Sequence, residues 1–210
     1  TVTADTAAAL NAALTNATPT DALTLTINDT TLTSVSDLLA LDGKTNVAVN
    51  ASSVNSITDT YTNLNSVYAA NTAGTISGLG NEAVTISDTT SAANVNTIAG
   101  RTSGILTATI TTGAVTSTLA AITNVDANDV ITFTTNDTSV DASDLVDLNA
   151  KVDTFNIASV TKITEVAASV ASVNTALGIL GANTQTTAVE ITGNISAAVL
   201  NTIAGLTNGV

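Results

Sequence analysis

Aliphatic and short hydroxyl residues alternate at period two in residues 23–27, 84–86, 106–110, 130–133 and 189–191. Such stretches are too short for a helical stripe and read as half-buried strands. Taking the last inward residue of each strand as a marker gives Ile27, Val49, Ile86, Ile110, Phe133, Ile157 and Ile191. From Ile86 to Ile157 the markers recur about every 24 residues, and the longer steps to Ile86 and to Ile191 leave room for loops or extra turns on one face.

After the strand comes an acidic residue, at Asp5, Asp29, Asp88 and Asp137, followed by Thr. This is turn and N-cap chemistry, and it predicts a helix starting there. Apolar residues then fall three apart in Leu38 and Leu41, Val95 and Ile98, Leu119 and Ile122, Leu145 and Leu148, and Leu200 and Ile203, as in a short helix burying one stripe. Two residues beyond each pair stand Gly43, Gly100, Asn124, Ala150 and Gly205, and Gly or Asn there suits a left-handed C-terminal cap. Lys44, Arg101 and Lys151, three of the 4 basic residues, occupy the next position, where a helix C-terminus favours a cation.

A unit this short cannot bury its own apolar face and must stack on its neighbours. The expected fold is therefore an α/β right-handed solenoid of about 24-residue strand-helix repeats with a parallel sheet, similar to leucine-rich repeats. It is expected to run as one array over residues 1–210, a segment of a longer chain whose polar capping repeats lie elsewhere. The alternative is an all-β solenoid, which the recurring helical stripes and glycines disfavour.

A hydrophobic fraction of 44% with only 2% aromatics implies a layered core of Val, Ile, Leu and Ala. The net charge of -13 argues against nucleic acid and against an acidic membrane surface. Acidity at a charged fraction of 10% suits a chain working in salt, among divalent cations. The most apolar stretch, residues 166–181, is broken by Ser169, Ser172, Asn174 and Thr175, so no membrane helix is expected. Cys, His, Met and Trp are absent, which removes thiol chemistry and the usual bases and transition-metal ligands. The chain reads as non-enzymatic.

The outward strand positions hold Thr24, Thr26, Thr85, Ser87, Thr107, Thr109, Thr111, Thr132 and Thr192. Stacked about 4.8 Å apart, they would form a flat hydroxyl grid able to bind ice, a glycan or another copy of the chain, although Thr also simply suits a solvated strand. Asn124, Asp126, Asn128 and Asp129 put oxygen ligands at the spacing that begins a calcium loop, but Asp129 replaces its glycine and Thr135 its bidentate Glu. Weak surface binding of divalent cations is the better expectation, and Asp141 and Asp144 read as helix N-terminal charges. The sequence Gly78-Leu-Gly80-Asn-Glu-Ala83 precedes a strand and reads as a loop, not a dinucleotide turn. Tyr61 and Tyr68 read as packing residues. Glycosylation acceptor patterns begin at Asn16, Asn28, Asn50, Asn136 and Asn194, as expected by chance in a chain so rich in Asn and Thr.

The phrases VTISDTTSAANVNTIAG (84–100) and ISAAVLNTIAG (195–205) resemble tandem repeats in very large cell-surface proteins of marine cyanobacteria, and the composition resembles surface-layer and adhesin arrays. That resemblance implies an extracellular setting and a structural role, with self-association or glycans as partners, and it transfers no functional residue.

Overall fold

The computed structural model describes residues 1–181 and 187–207. The protein is a mixed α/β structure with mostly parallel strand pairing, eight α-helices and no closed barrel among these residues. It divides into two compact units, Thr1–Thr109 and Ile110–Val210.

The first unit runs α1 (Ala7–Ala13), β1 (Thr31–Leu32), α2 (Ser36–Asp42), β2 (Val49–Asn50), β3 (Ser56–Asp59), α3 (Tyr61–Ala73), β4 (Ile76–Ser77), β5 (Ala83–Ile86), α4 (Ala92–Ala99) and β6 (Leu106–Thr109). Strands β1, β3, β5 and β6 lie side by side in that order, with Leu32 opposite Ile57, Ile57 opposite Val84 and Val84 opposite Leu106. A second parallel row pairs Val49 of β2 with Ile76 of β4, and single bridges join Thr26 to Asn50 and Asp5 to Ile27. Parallel neighbours need a crossover, and α2, α3 and α4 supply it while burying Leu38 and Leu41, Leu64 and Val67, and Val95 and Ile98.

The second unit runs α5 (Val115–Ala121), β7 (Val130–Thr134), β8 (Ser139–Asp141), α6 (Ala142–Asn149), β9 (Thr154–Asn156), β10 (Lys162–Val166), a short 3-10 turn (Ala167–Ser169), α7 (Ala171–Leu180), β11 (Ala188–Thr192) and α8 (Ala197–Leu206). Strand β7 pairs with β9, where the rings of Phe133 and Phe155 lie 5.7 Å apart, and β10 pairs with both β8 and β11. The core is aliphatic, as the composition requires, with Leu145, Leu148, Ile163 and Val173 among its fully buried members.

Four expectations change. Helices do not follow Asp29 and Asp137 directly: β1 and β8 intervene, so two strands in different rows precede α2 and α6. The Asp29 and Asp137 carboxylates each accept a distant backbone N–H, as described below, and Asp141 caps α6 instead by accepting from Ser143 and Asp144 N–H. Residues 23–27 form bridges at Thr26 and Ile27 but no continuous strand, although Leu25 and Ile27 are fully buried. In α5 the inward residues are Val115 and Thr118, with Leu119 half-buried. Finally, Gly43, Gly100 and Ala150 are not left-handed, having φ of -74°, -76° and -73°. Each helix instead tightens by one more turn, with N–H bonds from Lys44 to Leu41, Arg101 to Ile98 and Lys151 to Leu148, which satisfies the last carbonyls and explains why alanine serves at 150. Gly205 lies inside α8, and Asn124 lies past the α5 C-cap, Ile122.

Candidate functional site

The side chains that follow the strands and the helices do one thing repeatedly: they satisfy backbone groups of the preceding segment. An α-helix leaves its first N–H groups without internal partners. Asp29 accepts the Ala7 N–H at 2.7 Å, Asp59 the Val35 N–H at 2.8 Å, Asp88 the Tyr61 N–H at 2.7 Å and Asp137 the Val115 N–H at 2.7 Å. Each bond joins residues 22 to 27 apart and brings a carboxylate to the positive end of the helix before it. Asp59 also accepts from Thr60 N–H and the Asn63 amide. Burial pushes its pKa up, but the bonds from Val35, Asn63 and Thr60 outweigh that and hold it below the ordinary 3.8.

The basic residues complete the clamp at the other end. Lys44 Nζ donates to the carbonyls of Asn11 at 2.8 Å and Leu14 at 2.9 Å, and Lys151 Nζ donates to that of Val125 at 2.7 Å. Arg101 Nη1 donates to the Thr72 hydroxyl in the last turn of α3 at 2.6 Å. These cations lie near a helix C-terminus, as the dipole favours, but the terminus belongs to the helix before their own. Thr45 and Thr102 next to them extend the clamp, donating to the carbonyls of Leu23 at 2.8 Å and Glu82 at 2.6 Å.

A buried acid supports α3. The Tyr68 hydroxyl donates to Glu82, whose other oxygen accepts the N–H groups of Gly80 at 2.7 Å and Asn81 at 3.0 Å. Tyr68 and Glu82 are each 1% exposed. Burial first, then the Glu82 hydrogen bond and charge, push the Tyr68 pKa far above its ordinary value of 10.0. Tyr68 is thus a packing residue with a polar anchor, which spacing alone did not reveal. Residues 78–82 form the loop expected between strands, with Gly78 at φ +92° because its backbone lies against Ser52. In the second unit Glu165 plays the carboxylate part, taking the Ser143 hydroxyl at 2.6 Å and its neighbour's N–H at 2.7 Å.

The threonine grid is brought together only in part. Thr58, Thr85 and Thr107 stand side by side on β3, β5 and β6, half-buried on the face opposite the core, and Thr132 stands beside Thr154 on β7 and β9. Thr58 and Thr154 escaped the sequence reading because their strands carry fewer aliphatic residues. Thr24 and Thr26 belong to the other row, since Thr26 bridges Asn50, and they do not join the file of Thr85. Thr109 and Thr111 are exposed beyond it, and Ser87 and Thr192 are likewise exposed.

In the 124–129 loop, Asp126 accepts the Asn128 N–H at 2.7 Å and Asp129 accepts the Asp126 N–H at 3.1 Å. These carboxylates close their own turn, and Asp129 is buried. Thr135 is also buried, donating to the Gly113 carbonyl at 3.0 Å. No group of three or more His, Cys, Asp or Glu able to hold a metal ion occurs among the described residues, and no helix there is long and apolar enough to cross a membrane. Chemically, Asp29, Asp59, Asp88, Asp137, Lys44 and Lys151 act as hydrogen-bonding partners of backbone, while Lys162 forms an ion pair with Glu190. No family model, no curated protein and no solved structure matches this chain.

Proposed function

We propose that the chain is a non-enzymatic structural segment, an α/β solenoid whose rungs stack into a stiff spacer or self-assembling part of an extracellular surface, filament or lattice protein. The observation that carries this reading is the reciprocal clamp, in which a segment caps the helix of the segment before it at the N-terminus with Asp and at the C-terminus with Lys. Side chains committed to backbone groups 22 to 33 residues away hold rungs in register and leave few polar groups for chemistry. Acidity and the absence of Cys, together with the resemblance to cyanobacterial surface repeats, support an extracellular setting. Negative-stain electron microscopy of the purified chain, with calcium and with a chelator, tests the reading. Rods, filaments or sheets are expected, and compact round particles under both conditions would overturn it.

A second reading has one specific observation in its favour. The file of Thr58, Thr85 and Thr107 offers evenly spaced hydroxyls to ice or a glycan. Replacing Thr107 and Thr109 by bulky charged residues would abolish such binding while leaving the circular dichroism spectrum intact; unchanged binding would rule this face out.

A further inference from the structure

The two compact units make the same backbone-directed bonds at matching places. Asp29 accepts the Ala7 N–H while the Asn28 N–H donates to the Asp5 carbonyl; Asp137 accepts the Val115 N–H while the Asn136 N–H donates to the Gly113 carbonyl. Thr26 bridges Asn50, and Thr134 pairs with Asn156. The Asn50 side chain then accepts the Ser52 N–H at 3.0 Å, and the Asn156 side chain the Ala158 N–H at 3.2 Å. Asp59 and Glu165 each accept the N–H of the residue that follows them, and Lys44 and Lys151 each donate to a carbonyl near the end of the helix before their own. Corresponding residues in these pairs lie 106 to 108 positions apart.

Packing follows the same correspondence. Strands β1, β3 and β5 oppose Leu32, Ile57 and Val84, and strands β8, β10 and β11 oppose Val140, Ile163 and Val189. Helix α2 buries Leu38 and Leu41 as α6 buries Leu145 and Leu148, and α3 buries Leu64, Val67 and Tyr68 as α7 buries Val173, Ala176 and Leu177. Among the described helices only α3 and α7 end on a glycine of positive φ, Gly74 at +80° and Gly181 at +57°. The hydroxyls of Ser91 and Ser196 cap α4 and α8, and Ser-Ala-Ala (91–93 and 196–198) and Asn-Thr-Ile-Ala-Gly (96–100 and 201–205) recur 105 positions apart. A shift of one segment gives no such match. The successive helices α2, α3 and α4 have 7, 13 and 8 residues, and only the middle one ends on a positive φ.

We infer that the chain is a tandem duplication of one module of about 106 residues, with four helices and two rows of parallel strands, of which the shorter strand-helix segment is a subdivision. Successive segments differ, so growth by whole modules keeps every strand in its row. The duplication is independent of the structural role proposed above, which can fail without affecting it. The two copies have diverged in their polar pairs. Tyr68 and Glu82 correspond to Leu177 and Thr187, all four buried, so the buried acid and its phenol belong to the first module alone. Conversely, the Thr116 hydroxyl donates to Asp144 at 2.5 Å, whereas their counterparts Ala8 and Asp37 line a cavity of about 120 Å³ together with Ala7 and Asp29.

Amide hydrogen exchange of the full chain, resolved residue by residue by nuclear magnetic resonance, tests the duplication. Protection is expected to repeat along the chain at 105 to 108 residues. D29A and D137A should speed exchange of the Ala7 and Val115 N–H groups respectively, each by about tenfold. Thermal melting of A8T, D37A and the double variant gives a second readout, because a hydroxyl at position 8 should reach Asp37 as Thr116 reaches Asp144. A8T is expected to raise the melting temperature by about 1–4 °C when Asp37 is present. In the D37A background it should lower it, since only the helix cost of threonine remains. Protection that repeats only at about 24 residues, or an A8T effect that D37A leaves unchanged, would overturn the duplication.

Discussion

Asp137 accepts the Val115 N–H at 2.7 Å across 22 residues of chain, and the same carboxylate oxygen takes the Thr135 hydroxyl at 3.2 Å. One acidic side chain thereby ties a helix start, a strand end and the turn between β7 and β8 together. Its loss would leave the first N–H of α5 uncapped. D137A is expected to destabilise the protein by about 1–2 kcal/mol and lower its melting temperature by roughly 2–8 °C, with D137N retaining part of the difference. Calorimetry of the three proteins checks this, and an unchanged melting temperature for D137A would contradict it.

The Tyr68 and Glu82 pair predicts an alkaline weakness. Tyr68 has a folded-state pKa raised above its unfolded value near 10. Its contribution is therefore fully present below that value and is lost as pH rises beyond it toward the folded pKa. Wild type should lose stability to urea above about pH 10, and Y68F should lose this dependence. Y68F should also be weaker at neutral pH by about 1–3 kcal/mol, because it leaves the buried Glu82 one donor short.

Asp59 predicts the opposite limb. Its folded pKa lies below the unfolded value, so its contribution is present above about pH 4 and disappears as pH falls through the folded pKa. D59A should be less stable than wild type at neutral pH, and the difference should shrink in acid. Urea midpoints across the acid range measure it, and a constant difference would refute the assignment.

Two glycines should respond to alanine with opposite signs. A Cβ at Gly104 would run into the Glu82 carbonyl, whereas one at Gly43, at φ -74°, would meet its nearest atom, the Ala40 carbonyl oxygen, at 3.5 Å. G104A should destabilise by about 1–3 kcal/mol, and G43A should stabilise by about 0.4–1 kcal/mol through a less flexible unfolded chain. Denaturant titration separates the two.

Much of this was legible in local pattern. The strand segments at β5, β6, β7 and β11 and the buried stripes of α2, α4 and α6 follow from periodicity, because which side chains share a face depends only on spacing along the chain. Asp or Thr after a strand marked turn and cap chemistry, and the basic residue past α2, α4 and α6 marked a C-terminus. What pattern could not identify was the recipient. Asp29 and Lys44 are placed by their own segment, yet they bond Ala7, Asn11 and Leu14 of the one before, and such a partner exists only when two segments lie side by side.

The threonines divide for the same reason. Alternation put Thr26 and Thr85 in one class, while strand pairing assigned Thr26 to Asn50 and Thr85 to Thr58 and Thr107, in different rows. The sequence by itself determined the class of elements, the aliphatic core and the absence of thiol and imidazole chemistry, since composition and periodicity are properties of a single chain. Only the tertiary structure decided which row each strand joins, which helix end the Lys44 and Lys151 side chains cap, and that Glu82 is buried against Tyr68. Those outcomes depend on hydrogen-bond partners 14 to 33 residues away, and a buried polar group has no stable place until such a partner is beside it.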